Sequence, residues 1–65
     1  MTNTQAQKVI DEAQGYAADE MRRLYGTPSE RADKLTDTQE QNYWLRHFIT
    51  GVKVQLIGMD NDNLK

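Results

Sequence analysis

The sequence predicts an all-α protein: a small helical hairpin in which two long helices are joined by a short helical connector. Two observations support this prediction. Apolar residues recur at steps of three and four before Gly26 and after Thr36, which is the period of one face of an α-helix. In addition, Thr4, Thr27 and Thr36 each stand three residues before a Gln or Glu, a spacing typical of a capping box at a helix start.

The first helix is expected to run from about Thr4 to Tyr25, and Gly26 suits a left-handed C-terminal cap. Its apolar face is lean, so we expect close helix packing at Ala13 and Ala17 only, with Gly15 on the outside. The face consists of Ala6, Ile10, Ala13, Ala17, Met21 and Leu24.

The connector is expected to be a short helix from Pro28 to about Lys34. Thr27 and Glu30 have capping-box spacing, and proline is favoured at the first helical position. The connector contains few apolar residues, so it is not expected to form the core.

The last helix should begin after Thr36 and reach about Ile57, with Gly58 as its end. It carries two apolar lines that lie roughly opposite each other at 100° per residue. A surface helix of a monomer normally has one such line, so we expect an intermolecular contact through this helix. One line is Leu45, Phe48, Ile49, Val52, Leu56 and Met59, flanked by Trp44; the other is Tyr43, Thr50, Val54 and Ile57, interrupted by His47.

Residues 51–58 also alternate between apolar and polar, which is the pattern of a β-strand. A lone strand would have to pair with its own copy, so both alternatives predict a homo-oligomer. The predicted organisation is a single helical domain over residues 1–58 and a flexible polar tail over residues 59–65.

Composition restricts the classes of function. A 65-residue chain buries only about 60% of the surface that its unfolded form exposes, and no cysteine is present to add a disulfide. The net charge of −2 disfavours nucleic acid as a partner. The chain shows neither a signal-peptide pattern nor an apolar run long enough for a membrane, so a cytoplasmic protein is expected.

The residues that carry chemistry are few. His47 is the single histidine, and residues 60–63 open like a calcium loop but lack its later ligands. We therefore expect no catalytic site, no metal and no cofactor. The predicted interaction surface is Tyr43, Trp44, His47, Thr50, Val54 and Ile57, and the candidate anion-binding residues are Arg22, Arg23, Arg31 and Lys34.

Within residues 35–49, the chain resembles the helical-hairpin proteins with which phages sequester cyclic-nucleotide immune signals. The resemblance rests on Leu35, Thr36, Glu40, Trp44 and Ile49. It implies an oligomeric binder of an anionic nucleotide as one alternative function, and a nucleic-acid-binding regulator is another. The main expectation is a non-enzymatic interaction module of the phage or plasmid regulator type, which acts as a homo-oligomer on a host protein.

Overall fold

The computed structural model describes the backbone of residues 2–64 and the side chains of residues 2–59. Over residues 2–64 the chain forms three α-helices and no strand: α1 (Asn3–Tyr25), α2 (Pro28–Lys34) and α3 (Asp37–Leu64). The predicted all-α class is therefore confirmed. The alternative of a strand over residues 51–58 is wrong, because these residues lie inside α3.

The helix α1 begins earlier than predicted. Its N-cap is Thr2, whose hydroxyl accepts a hydrogen bond from the backbone N–H of Gln5 at 3.1 Å, while the Gln5 side chain accepts from the Thr2 N–H at 2.8 Å. The predicted capping box of Thr4 and Gln7 is wrong because Thr2 and Gln5 have the same spacing and form it instead, which places the start of α1 at Asn3.

The C-cap of α1 is Gly26, as predicted, but its conformation is not the expected left-handed one. Gly26 has a φ of 99° and a ψ of −170°, a region that is essentially restricted to glycine. Its N–H donates to the carbonyl of Arg22 at 3.0 Å, which closes the last turn of α1.

Both later capping boxes are confirmed. The hydroxyl of Thr27 accepts from the Glu30 N–H at 3.3 Å, and α2 runs over the predicted range. The hydroxyl of Thr36 accepts from the Gln39 N–H at 3.1 Å at the start of α3.

The end of α3 lies beyond its predicted position. The helix continues through Gly58 to Leu64. A single glycine costs a helix about 1 kcal/mol, which a long helix that is already propagating tolerates. The predicted flexibility of residues 59–65 stays a prediction, since from residue 60 onward the side chains lie outside the described residues.

The helices α1 and α3 lie side by side and run in opposite directions. Tyr25, at the end of α1, stacks on Tyr43 near the start of α3, with ring centroids 5.1 Å apart. Ala13, in the middle of α1, faces Gly51 further along α3. The molecule measures 46 × 20 × 15 Å. Because one helix with its side chains is about 10–12 Å across, the thinnest dimension corresponds to a single layer of helices.

The core is a narrow line of side chains along α1 that is small in the middle and larger at both ends. The buried hydrophobic side chains among residues 2–59 follow α1 at steps of four, and the buried residue of α3 is Gly51. The small size of Ala13 and Gly51 brings the two backbones close together in the middle of this line: a Cβ atom at Gly51 would lie 3.1 Å from the Cα atom of Ala13. The core side chains are Val9, Ala13, Ala17 and Met21.

Two predictions about the apolar face of α1 have different outcomes. Ala13 and Ala17 are buried and Gly15 lies outward, as predicted, but packing is not restricted to these two alanines, because Val9 and Met21 are buried as well. The assignment of Ile10 and Leu24 to the covered face is wrong, because both side chains are exposed. The covered line follows steps of four from Val9, which leaves Ile10 and Leu24 on the flanks of α1.

The glycines of α1 and α3 provide a matched test of this close approach. The Gly51→Ala variant should have a free energy of unfolding about 1–3 kcal/mol lower than that of the Gly15→Ala variant, because the new methyl group at position 51 has to separate the two helices. Gly15→Ala should itself stabilise the protein by about 1 kcal/mol, since the space around Gly15 is open among the described residues. Urea unfolding followed by circular dichroism measures both variants. Equal stabilisation by the two substitutions would contradict the close approach.

Candidate functional site

The surface of α3 that α1 covers lies between the two predicted apolar lines. Gly51 faces α1, and a helical step of 100° per residue places Trp44 and His47 within about 40° of it. The same step places Leu45 and Ile49 about 120° or more away from Gly51. Large side chains cannot occupy the position of Gly51 because the backbones approach too closely there, so they lie on the flanks of α3.

One flank of α3 carries an exposed apolar line that we call the outer stripe: Leu45, Ile49, Val52 and Leu56. Val52 is half-buried, whereas the other three side chains are between 38% and 51% exposed. The residues follow one another at steps of four, three and four, which is the spacing of a coiled-coil seam. The apolar pattern of the sequence predicted this line, but its residues were not included in the predicted interaction surface.

The opposite flank carries a second exposed line that we call the edge line: Thr50, Val54 and Ile57. The side chains of Val54 and Ile57 are 55% and 59% exposed. The hydroxyl of Thr50 donates back to the carbonyl of Arg46 at 3.0 Å, so its polar group is satisfied within α3.

The other three predicted interaction residues lie closer to α1. Tyr43 and His47 are half-buried beside Tyr25 of α1, with ring centroids 5.1 and 6.3 Å from the Tyr25 ring. Trp44 stacks on Phe48 at 5.1 Å and borders a shallow groove with Leu45. Five of the six predicted residues therefore follow one side of α3 at steps of four and three, with the first two partly covered by Tyr25, whereas Trp44 lies toward the outer stripe. The five are Tyr43, His47, Thr50, Val54 and Ile57.

The structure brings together three of the four candidate anion-binding residues. Arg22, Arg23 and Lys34 line a depression between the end of α1 and α2, and Glu30 lines it as well. Arg23 is paired with the carboxylate of Glu20 at 2.6 Å. The depression therefore has charges of both signs around it.

The fourth residue, Arg31, connects three parts of the fold. Its Nε donates to the carboxylate of Glu40 in α3 at 2.9 and 3.1 Å, and its Nη1 donates to the carbonyl of Gly26 at 2.7 Å. Only 12% of its side chain is exposed. These bonds hold the first turn of α3 against the turn between α1 and α2, so the charge of Arg31 is already used within the chain.

Two carboxylates near the depression are held in their ionised form. The hydrogen bond from Arg23 lowers the pKa of Glu20 below its ordinary value. Hydrogen bonds from the Thr27 backbone and hydroxyl lower the pKa of Glu30 in the same way. Because a bound anion would approach these negative charges, they oppose its binding in this depression.

Two features of the site were not predicted. The pairing of Arg31 with Glu40 has no local signal, because the residues lie on different helices across a turn. Gly51 had a signal that sequence reasoning did not use: it is the one Gly or Ala between residues 41 and 57, and it faces the alanines of α1.

Searches for metal-binding and membrane-spanning features were negative over the described residues. Within that range no group of three or more His, Cys, Asp or Glu side chains is arranged to hold a metal ion. The described helices include none whose length and apolar character suffice to cross a membrane.

Comparison with protein-family models, with curated proteins and with solved structures finds no significant match to this chain.

The bridging role of Arg31 can be tested against a neighbour of the same charge. Arg31→Gln should lower the free energy of unfolding by about 1–2 kcal/mol, because the Gly26 carbonyl and the Glu40 carboxylate lose a charged donor. Lys34→Gln, which removes one positive charge from the exposed end of α2, should change it by less than about 0.5 kcal/mol. Chemical denaturation measures both, and similar losses would mean that Arg31 acts only through its charge.

The two carboxylates predict a pH dependence of stability. Their pKa values are lowered on folding, so the ionised forms stabilise the folded state at neutral pH. This stabilisation is lost as the pH falls below the ordinary glutamate value of about 4.3 and through the folded-state pKa. The Glu20→Gln, Glu30→Gln double variant should therefore lose less stability than the parent between pH 6 and pH 3, measured by urea unfolding. If the free energy of unfolding falls equally with pH in the two proteins, neither carboxylate stabilises the folded state through its hydrogen bonds.

Proposed function

We propose that the protein is a non-enzymatic protein–protein interaction module: a helical hairpin that works as a homo-oligomer and presents α3 to other protein chains. The observation that supports this proposal is the exposure of large apolar side chains on both flanks of α3. Monomeric proteins rarely leave contiguous apolar patches larger than a few hundred Å² in contact with water. The exposed surfaces of α3 are therefore suited to contact with protein.

The alternative of an anionic nucleotide ligand has one supporting observation. Arg22, Arg23 and Lys34 share a depression that is open to solvent. This alternative ranks second, since Glu30 lines the same depression and Arg31 is bonded to Glu40 and Gly26. The depression thus lacks the strong positive field with which proteins attract a phosphate.

The alternative of nucleic-acid binding has less support. A helix that reads bases needs polar side chains on the face that enters the groove. The exposed flanks of α3 carry Leu45, Ile49, Val54 and Ile57 instead. The two basic residues between positions 41 and 59 are Arg46 and Lys53, fewer than the phosphate contacts of a typical DNA-binding protein.

The first test is the mass of the protein in solution. Native mass spectrometry and sedimentation of protein purified without denaturation should give a multiple of 7.5 kDa, because association covers the exposed flanks of α3. A mass of 7.5 kDa over the whole accessible concentration range would contradict the homo-oligomer. An additional mass of a few hundred daltons on each chain, typical of a bound nucleotide, would move the anionic ligand to first place.

A further inference from the structure

We infer that the outer stripe is covered by a second copy of this chain, which stacks its helical layer on the first to form a four-helix bundle. This inference rests on the proposed function and specifies it, because it assigns one flank of α3 to self-association. The other flank, with the edge line, then remains accessible for a different protein.

The accessible area of the chain supports this inference. A compact monomer of 7.5 kDa exposes about 4,200 Å² according to the scaling of area with mass. The chain exposes 5085 Å². The excess, on the order of 800 Å², is about what each partner buries in a protein interface of standard size. One interface with a second copy would therefore bring the exposed area to the level of a compact protein.

The shape of the molecule indicates which face the second copy covers. At 15 Å in its thinnest dimension the chain is a single layer of helices, so each helix has a partner on one side only. Four-helix bundles stack two such layers and enclose side chains at the spacing of a coiled-coil seam. The opposite flank has this spacing too, but it includes the polar residues Thr50 and His47. The outer stripe is apolar throughout residues 45–56, and its side chains are large enough to fill the space between two layers.

The distribution of charge favours a second copy over an unrelated helix. Arg46 and Lys53 are the Lys, Arg, Asp or Glu residues of positions 41–59, and both lie on the side of α3 away from α1, between the outer stripe and the edge line. The middle of α1 has the opposite sign, since residues 9–21 contain four acidic residues and no Lys or Arg. A second copy thus supplies acidic side chains from its α1 to the two basic residues between the outer stripe and the edge line. The four acidic residues are Asp11, Glu12, Asp19 and Glu20, of which Glu20 is already paired with Arg23.

The decisive experiment compares two β-branched residues of α3. Ile49, in the outer stripe, is 51% exposed, and Val54, in the edge line, is 55% exposed. The two positions lie about 140° apart around the helix. Ile49→Asp should weaken association by about 100-fold or more, because each copy would bury an unpaired charge. Val54→Asp, the matched control, should keep the mass of the parent. Size-exclusion chromatography with light scattering over a range of concentrations measures both.

Each outcome of this comparison has a definite meaning. If Val54→Asp dissociates the protein while Ile49→Asp does not, our assignment of the outer stripe is wrong, whereas the proposed homo-oligomer is retained. A parent protein that is monomeric throughout overturns both. Retention of the parent mass by both variants also overturns the assignment, because the interface would then lie away from Ile49.

A second measurement covers the case in which Ile49→Asp fails to fold. The chain contains no cysteine, so single substitutions to cysteine introduce one thiol each. Mild oxidation should link two copies through at least one of Leu45→Cys, Ile49→Cys, Val52→Cys and Leu56→Cys, namely the position nearest the twofold axis. Val54→Cys should remain unlinked under the same conditions. If Val54→Cys is linked and none of the four outer-stripe variants is linked, the inference is overturned.

Discussion

The approach of α1 to α3 at Gly51 determines which surfaces of the molecule remain open. The two backbones come so close there that a Cβ atom has no room without displacement of a neighbour. Only glycine and alanine allow two helices to meet in this way, and Ala13 and Ala17 supply the matching surface on α1. Because the middle of the contact is made by small residues, this part of it buries little apolar area. The leucines and isoleucines of α3, which would bury more, lie on its flanks.

The Arg31 bridge is the second constraint on the fold, and it acts on the connector. The helix α2 has seven residues and no buried side chain, so apolar packing alone does not determine its position. The hydrogen bonds from Arg31 to the Gly26 carbonyl and to Glu40 link the end of α1 with the start of α3. The chain reverses direction here through polar bonds, whereas along the helices it is held by small apolar residues. Because its guanidinium is used in these bonds, Arg31 is no longer available as one of the four candidate anion-binding residues.

The sequence predicted local features better than long-range ones. The capping boxes at Thr27 and Thr36 depend on residues three positions apart, and both were found in the structure. The start of α1 was misplaced because two threonines near that end have the same spacing to a glutamine. The two apolar lines of α3 were visible as periodic patterns, but the strip that faces α1 was not. The side of α3 that faces α1 depends on the close fit of Gly51 against Ala13, and a pattern of hydrophobic residues gives no information about such a fit.

The narrow strip of α3 that contacts α1 has a consequence for how this protein can change over generations. Most of the circumference of α3 takes no part in holding the two helices together, so substitutions there alter the binding surface at little cost to the fold. At Gly51, in contrast, any larger side chain has to displace a neighbour on α1. If the flanks of α3 bind another protein, as we propose, such a separation would let a lineage change that partner by a few mutations. It makes the same chain a practical scaffold for engineering new specificities.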